Sequence, residues 1–295
     1  DELYFIGLGA KDQFEYNFDA KKTLNNLTLI DRLPNSPQWN YTIGAGYRHL
    51  VENGNWLFTL SRNMLDNQAI KYYRNIEIPD NLLYNYQSRE AENKLRIDRN
   101  FSWNDYQFSA GTNINFAKYT NDSTVKQVNQ NSVDFDVINS ELNLVQYGLY
   151  LQTAKKFFEN KVQISLGARL DASNYSDLTN NPLEQFSPRF SLNYKFAENW
   201  AFNFNTGIFY QLPAYTSLGL KLNDALVNEN TLKYIRNAHL VGGLEFNGKD
   251  NLRITVEGYY KKYKNYEKAG KNYRSSLFCF YAYFLFSNQL FSLYF

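Results

Sequence analysis

Residues 163–177 read "QISLGARLDASNYSD" and alternate almost without a break. Ile164, Leu166, Ala168 and Leu170 fall on one side of an extended chain, and Gln163, Ser165, Gly167, Arg169 and Asp171 on the other. One apolar and one polar face is the pattern of a strand with a single side removed from water. Here the polar side carries charge at Arg169 and Asp171, in a run long enough to cross a bilayer as a tilted strand. The apolar side therefore faces either a protein core or lipid, and the rest of the chain has to distinguish the two.

The chain has 295 residues, enough for two soluble domains or one large barrel. Its 31 basic and 29 acidic side chains nearly cancel, so no strong field points to nucleic acid or to acidic partners. Aromatic residues reach 18%, with 25 Tyr and 23 Phe. Mean hydropathy is nevertheless −0.54. Aromatic abundance on a polar chain suits an outer-membrane barrel, which shows rings to lipid and polar groups to its lumen. The single cysteine, Cys279, cannot form an internal disulfide and says nothing about compartment. Asp1 is not a start residue and no signal peptide is visible, so the chain reads as an internal or C-terminal piece of a longer protein.

Eleven alternating runs recur, near 3–18, 38–50, 56–64, 92–103, 106–119, 143–157, 161–175, 186–196, 200–211, 231–246 and 251–266. In "YQFSAGTNINF", Phe108, Ala110, Ile114 and Phe116 oppose Gln107, Ser109, Gly111, Asn113 and Asn115. In "WAFNFNTGIFY", Trp200, Phe202, Phe204, Ile208 and Tyr210 oppose Asn203, Asn205 and Gly207. In "LRITVEGYY", Leu252, Ile254 and Val256 oppose Arg253, Thr255 and Glu257. No helical period stands out before the tail.

The connections separate lipid from core. Short turns rich in Asn, Asp and Gly sit at 51–55, 104–105, 159–160, 197–199 and 247–251. Between them lie long connections near 19–37, 65–91, 120–142, 176–185 and 212–230. Strict alternation of short and long is the rhythm of outer-membrane barrels, with short periplasmic turns and long outer loops. Trp56, Trp103 and Trp200 abut short turns, as do Tyr106, Phe157, Phe158, Phe196 and Phe246. Amphipathic rings gathered at one end of the hairpins mark a membrane–water boundary. The expected class is all-β: an antiparallel up-and-down transmembrane β-barrel.

Several segments resemble the C-terminal barrel of TonB-dependent outer-membrane receptors. "QYGLYLQTAKKFFENKVQISLGARLDASNYSD" (146–177) is similar to a strand–turn–strand of that family ending in G-x-R-x-D. "FSPRFSLNYKFAENWAFNFNTGIFYQLPAY" (186–215) resembles its S-P-R strand start and proline-containing exit loop. "LKYIRNAHLVGGLEF" and "LRITVEGYYKKYKNY" follow in order, and Tyr234-Ile235-Arg236 looks more like members from the Bacteroidetes. The resemblance implies a barrel of about 22 strands, so about 11–12 of them are present here and the barrel is incomplete. It also implies an N-terminal plug, an imported ligand, the TonB complex as partner, outer-membrane lipid around the wall, and localisation in the outer membrane of a Gram-negative bacterium. The function it implies is active import of a scarce nutrient: siderophore, cobalamin, oligosaccharide or peptide. A passive porin-like or structural barrel is the alternative. The division that follows is 1–268 as receptor barrel and 269–295 as an aberrant, poorly packed aromatic tail. That tail contains the unbroken apolar run 277–286 and ends in Phe295. It reads as a last strand, as a hydrophobic helix, or as out-of-frame translation, and the last is favoured.

Little here suits catalysis, and neither an enzyme nor a cofactor is expected. His49 and His239 are the two histidines and lie far apart in sequence, which disfavours a histidine metal centre. A hydrolase would need a histidine, a serine and an orienting group together, and His239 has no such partner nearby in sequence. The candidate ligand-binding or lumen-lining residues are Arg169, Asp171, Arg189, Arg253 and Glu257 on strands, with Tyr210 and Tyr215 at the start of the 212–230 loop. They either line a transport path or are ordinary luminal groups hydrogen-bonded across neighbouring strands. The loop is expected to touch ligand from outside.

Overall fold

In a computed structural model, residues 1–128, 133–222, 225–249, 252–266, 273–286 and 289–294 are described, the last two segments by backbone alone. Eleven strands occupy the expected runs: β1 (Glu2–Asp12), β2 (Gln38–Val51), β3 (Gly54–Tyr72), β4 (Leu82–Trp103), β5 (Tyr106–Val128), β6 (Val133–Phe157), β7 (Val162–Ser173), β8 (Ser187–Ala197), β9 (Trp200–Gln211), β12 (Ile235–Asn247) and β13 (Arg253–Tyr266). A small hairpin, β10 (Lys221–Leu222) and β11 (Ala225–Leu226), lies in the β9–β12 connection. Beyond them β14 (Tyr273–Phe286) pairs with β13, and β15 (Gln289–Tyr294) with β14. The packing expected of the 269–295 tail concerns side chains outside the described residues.

The main sheet has thirteen strands in chain order, each antiparallel to the next. β1 and β15 are its two edges, and no pairing joins them among the described residues. The sheet is an open, up-and-down wall, as an incomplete barrel requires. Register assigns the faces. Leu166 is paired with Phe190, Phe190 with Thr206, Thr206 with Leu240 and Leu240 with Tyr260, a single row across five strands. That face is the outward one: Leu149, Leu151, Leu166, Leu240 and Val256 are all exposed. The opposite, luminal face carries Asn113, Arg169, Arg189, Asn203, Glu245 and Arg253.

The short turns hold the aromatic belt. Asn104 and Asp105 both adopt positive φ (45° and 64°) between paired Trp103 and Tyr106, the geometry a two-residue hairpin with right-handed twist requires. Around that end Trp200 packs on Phe246 at 4.8 Å and Phe101 on Phe108 at 5.0 Å. The Lys155 ammonium lies 4.2 Å from the Tyr106 ring centre, and the Arg99 guanidinium 5.5 Å from that of Trp56. With about 3.3 Å rise per residue and strands tilted about 40°, an apolar band of about 25 Å takes about ten residues from this belt.

Two expected connections are largely strand instead. Residues 65–91 mostly extend β3 and β4, and 120–142 extend β5 and β6, whose pairing runs on to Val128 and Val133. Above the apolar band both faces meet water, so outward positions become Lys118 and Thr120 and the alternation that marks a strand fades while the ladder continues.

The 19–37 connection contains a helix the sequence period did not announce, α1 (Leu24–Arg32), and β1 ends at Asp12 rather than near residue 18. Thr23 caps α1, its hydroxyl accepting from the Asn26 N–H at 3.2 Å. Near its other end, Lys71 Nζ donates to the Ile30 carbonyl at 2.9 Å and to Asn75 Oδ1 at 2.6 Å. Burial pushes the Lys71 ammonium below its ordinary pKa, with Asp31 opposing. Thr23→Ala should cost this helix about 1 kcal/mol, read as faster amide exchange confined to residues 24–32; unchanged exchange would show the cap to be idle.

Candidate luminal site

Three polar groups line the luminal face. At mid-height on β7, Arg169 and Asp171 stand two residues apart on one face. Arg169 Nε donates to Asp171 Oδ2 at 2.8 Å, and its Nη2 to Asp171 Oδ1 at 2.6 Å and Asn113 Oδ1 at 2.8 Å. Gly148, opposite Asp171 on β6, makes the room: a Cβ there would lie 2.6 Å from both the guanidinium and the carboxylate. Nearby, Arg96 Nε donates to Asp98 Oδ1 at 3.0 Å, and the Tyr150 hydroxyl donates to the same oxygen at 2.6 Å. Polar cavities of about 400 Å3 and 390 Å3 lie between these groups, sharing Arg96 and Arg169 in their walls.

At the outer mouth, Glu92 on β4 gathers four donors. Its Oε1 accepts from the Tyr215 hydroxyl at 2.6 Å and Asn115 Nδ2 at 3.0 Å. Its Oε2 accepts from Asn63 Nδ2 at 2.9 Å and Lys94 Nζ at 2.6 Å. Gln146 Nε2 donates to the Tyr215 oxygen at 2.8 Å. Burial first, and then the hydrogen bond to Glu92, push the Tyr215 phenol well above its ordinary range, so it stays a donor.

Tyr215 opens the short helix α3 (Tyr215–Leu218); another short helix, α2 (Asp177–Asn180), sits at the top of β7. The loop around α3 folds inward. Leu218 is fully buried among Ala117, Tyr119, Leu142, Leu144 and Tyr175, and Leu226 and Leu232 pack on the same cluster. The Tyr175 hydroxyl donates to the Leu218 carbonyl at 3.0 Å, and the Ser140 hydroxyl to that of Gly219. Gly219 has no side chain because one is excluded: its Cβ would meet the Tyr119 ring at 2.6 Å.

The residues singled out in the sequence are thus divided among several places. Arg169 and Asp171 form one group, with Arg189 next along the luminal face, its guanidinium 4.5 Å from the Phe209 ring centre. His239 stacks on that same Phe209 ring, centroids 4.3 Å apart. Arg253 pairs with Glu245 at 2.9 Å near the short-turn end, away from the mouth. Glu257 is luminal on β13 across from Gly243. Tyr215 is at the mouth, facing inward rather than out. Tyr210 departs from the rest: paired with Arg236, it belongs to the outward face and not to the lumen. His49 lies near the end of β2, 2.9 Å from the Asp1 carboxylate. Glu92, Asp98 and Tyr150 were not singled out, and the 212–230 loop, expected to face outward, instead folds in through α3. The one available signal was "ENKLRID", where Glu92, Lys94, Arg96 and Asp98 fall on a single face.

Over residues 15–267 the sequence matches the family described as TonB dependent receptor-like, beta-barrel. The chain belongs to that family. This is a family of transport receptors, not of enzymes, and it places the receptor barrel in the outer membrane of a Gram-negative bacterium. Its fold is similar to a variant of the ferric enterobactin receptor PfeA from Pseudomonas aeruginosa, at 13% identity over 96% of this chain and 46% of that one, TM-score 0.67. It is also similar to the copper transporter OprC, at 12% identity over 98% and 56%, TM-score 0.58. A third is the pyoverdine receptor FpvA from Pseudomonas aeruginosa, at 13% identity over 87% and 43%, TM-score 0.63. The receptor barrel spans about half the length of these solved relatives. No match was found among curated protein sequences.

Proposed function

We infer that this chain forms wall and outer loops of an active importer of a scarce nutrient, such as a siderophore, cobalamin, an oligosaccharide or a peptide. The observation that carries this is the family match over residues 15–267; the inward-folded α3 loop, whose Tyr215 reaches Glu92, agrees with it by occupying space on the luminal side of the mouth. The charged luminal face below it, from Arg96 and Asp98 to Arg169 and Asp171, offers paired groups that a plug or a passing ligand could engage. Membership of the receptor family supports a plug and coupling to TonB as partners. The solved relatives named for ferric enterobactin and pyoverdine favour a chelated metal among the candidate cargoes. Residues 1–268 are taken as the C-terminal barrel portion and 269–295 as an aberrant tail; the family match ending at residue 267 supports the boundary, while the pairing of β14 and β15 onto β13 continues the wall across it.

Uptake by cells whose sole receptor is the whole protein tests this directly. With a panel of labelled ferric siderophores, cobalamin, oligosaccharides and peptides, accumulation of one of them should stop when a protonophore collapses the inner-membrane gradient. Uptake that persists unchanged, for every cargo that enters, would make the chain part of a passive pore.

A further inference from the structure

On the outward face, β6–β9, β12 and β13 enclose a groove of about 700 Å3. Small outward residues, Ala168, Pro188 and Ala238, form its floor, and Leu166, Phe190 and Leu240 stand along it. Arg236 and Lys262 close one end. Lys264 pairs directly across from Arg236, so three cations share one rim. The outward positions of β8, β9, β12 and β13 carry no Asp or Glu. Among the described residues, none of the three cations is in an ion pair.

Depth gives these cations a meaning. Arg236 lies ten residues along β12 from Phe246, which sits in the aromatic belt. At about 3.3 Å per residue and about 40° tilt, that is about 25 Å, the full height of the apolar band. The rim therefore stands at the outer head-group level, and the groove runs below it, at the depth of acyl chains. Tyr210, paired with Arg236, lies at the same level, where an amphipathic ring belongs. Three unpaired cations above an apolar channel complement an amphiphile with an anionic head. A guanidinium with two ammonium groups suits phosphate, whose oxygens accept several charge-assisted hydrogen bonds at once.

We propose that this groove binds a phosphate-bearing acyl lipid of the outer leaflet, its head group held by Arg236, Lys262 and Lys264 and one acyl chain lying along Leu166, Phe190 and Leu240. The groove is built from strands in the interior of the sheet, so it does not depend on what pairs with β1. It is also independent of what crosses the lumen, since its walls point the other way.

Native mass spectrometry of the whole protein in detergent micelles tests it, with phosphatidic acid and diacylglycerol of identical chains as probes and inorganic phosphate alone as the third arm. Phosphatidic acid should be retained about tenfold or more over diacylglycerol. The triple variant Arg236→Gln, Lys262→Gln, Lys264→Gln should fall to the diacylglycerol level. Ala238→Trp, which fills the floor and leaves the cations intact, should also lose the lipid. Heat-modifiable gel migration confirms folding of each variant; should the triple variant fail it, Lys262→Gln alone, at an exposed position, should still lower retention. Equal retention of both lipids, retention that survives the charge or floor substitutions, or displacement by inorganic phosphate at equal concentration would each overturn the proposal.

Discussion

Asp171→Ala should destabilise the barrel by about 3 kcal/mol, the lower part of the range for leaving one member of a buried ion pair alone. The substitution removes both acceptors of the Arg169 fork and leaves the guanidinium with Asn113 as its described partner. Gly148, across from Asp171, gives the guanidinium no side chain to turn toward. The half-buried position of Arg169 is why the lower part of the range applies. Arg169→Met with Asp171→Leu should recover most of the loss, because no charge then remains to be desolvated. Urea unfolding of the whole protein in detergent measures all three; an Asp171→Ala variant as stable as its parent would show that luminal water replaces the carboxylate at no cost.

Gly219→Val should release the α3 loop. The new Cβ would overlap the Tyr119 ring at 2.6 Å, and Tyr119 is itself buried and cannot swing away into open space. Overpacking of this kind costs about 1–3 kcal/mol, which raises the undocked fraction roughly five- to 150-fold. Extracellular protease on whole cells should then cut within residues 215–232 faster by a similar factor, and the Tyr215–Glu92 contact should be lost with it. Under the importer reading, ligand retention falls in the same variant. Cleavage at the parental rate would mean that the Tyr119 ring gives way and the loop stays docked.

The contrast between these two sites shows what sequence can carry. Arg169 and Asp171 were legible because a period of two puts residues i and i+2 on one face, and lipid enforces Ile164, Leu166 and Leu170 on the other. The same pressure made β2, β7–β9, β12 and β13 readable, but not β14, where the unbroken apolar run 277–286 hides the alternation. Above the apolar band that pressure ends, so the upper parts of β3–β6, with Lys118 and Thr120 outward, looked like loops. Tyr215 and Glu92 are 123 residues apart, and nothing local in either segment announces the other. Tyr210 was legible too: the alternation of 200–210 already set it on the apolar face with Phe204 and Ile208, and the register keeps it there, so its place among the ligand-binding or lumen-lining candidates went against its own period. Helix α1 stayed hidden for a different reason: its apolar spacing, Leu24, Leu27 and Ile30, runs for only nine residues, too few to stand out, and none of them is buried.

The paired extension of β5 and β6 has a consequence for ionic conditions at the receptor. Their ladder continues about twelve residues past the apolar band, which lifts the end of the ribbon about 30 Å above the head groups at the same rise and tilt. At physiological ionic strength the screening length is about 8 Å. The upper ribbon therefore stands more than three screening lengths from the anionic surface, where the membrane's own field has almost vanished. At physiological salt and above, a negatively charged solute can meet this part of the protein without first climbing the repulsion of the surface on which the protein stands; only in dilute salt, where the screening length grows to about 30 Å, does that repulsion reach the ribbon's end.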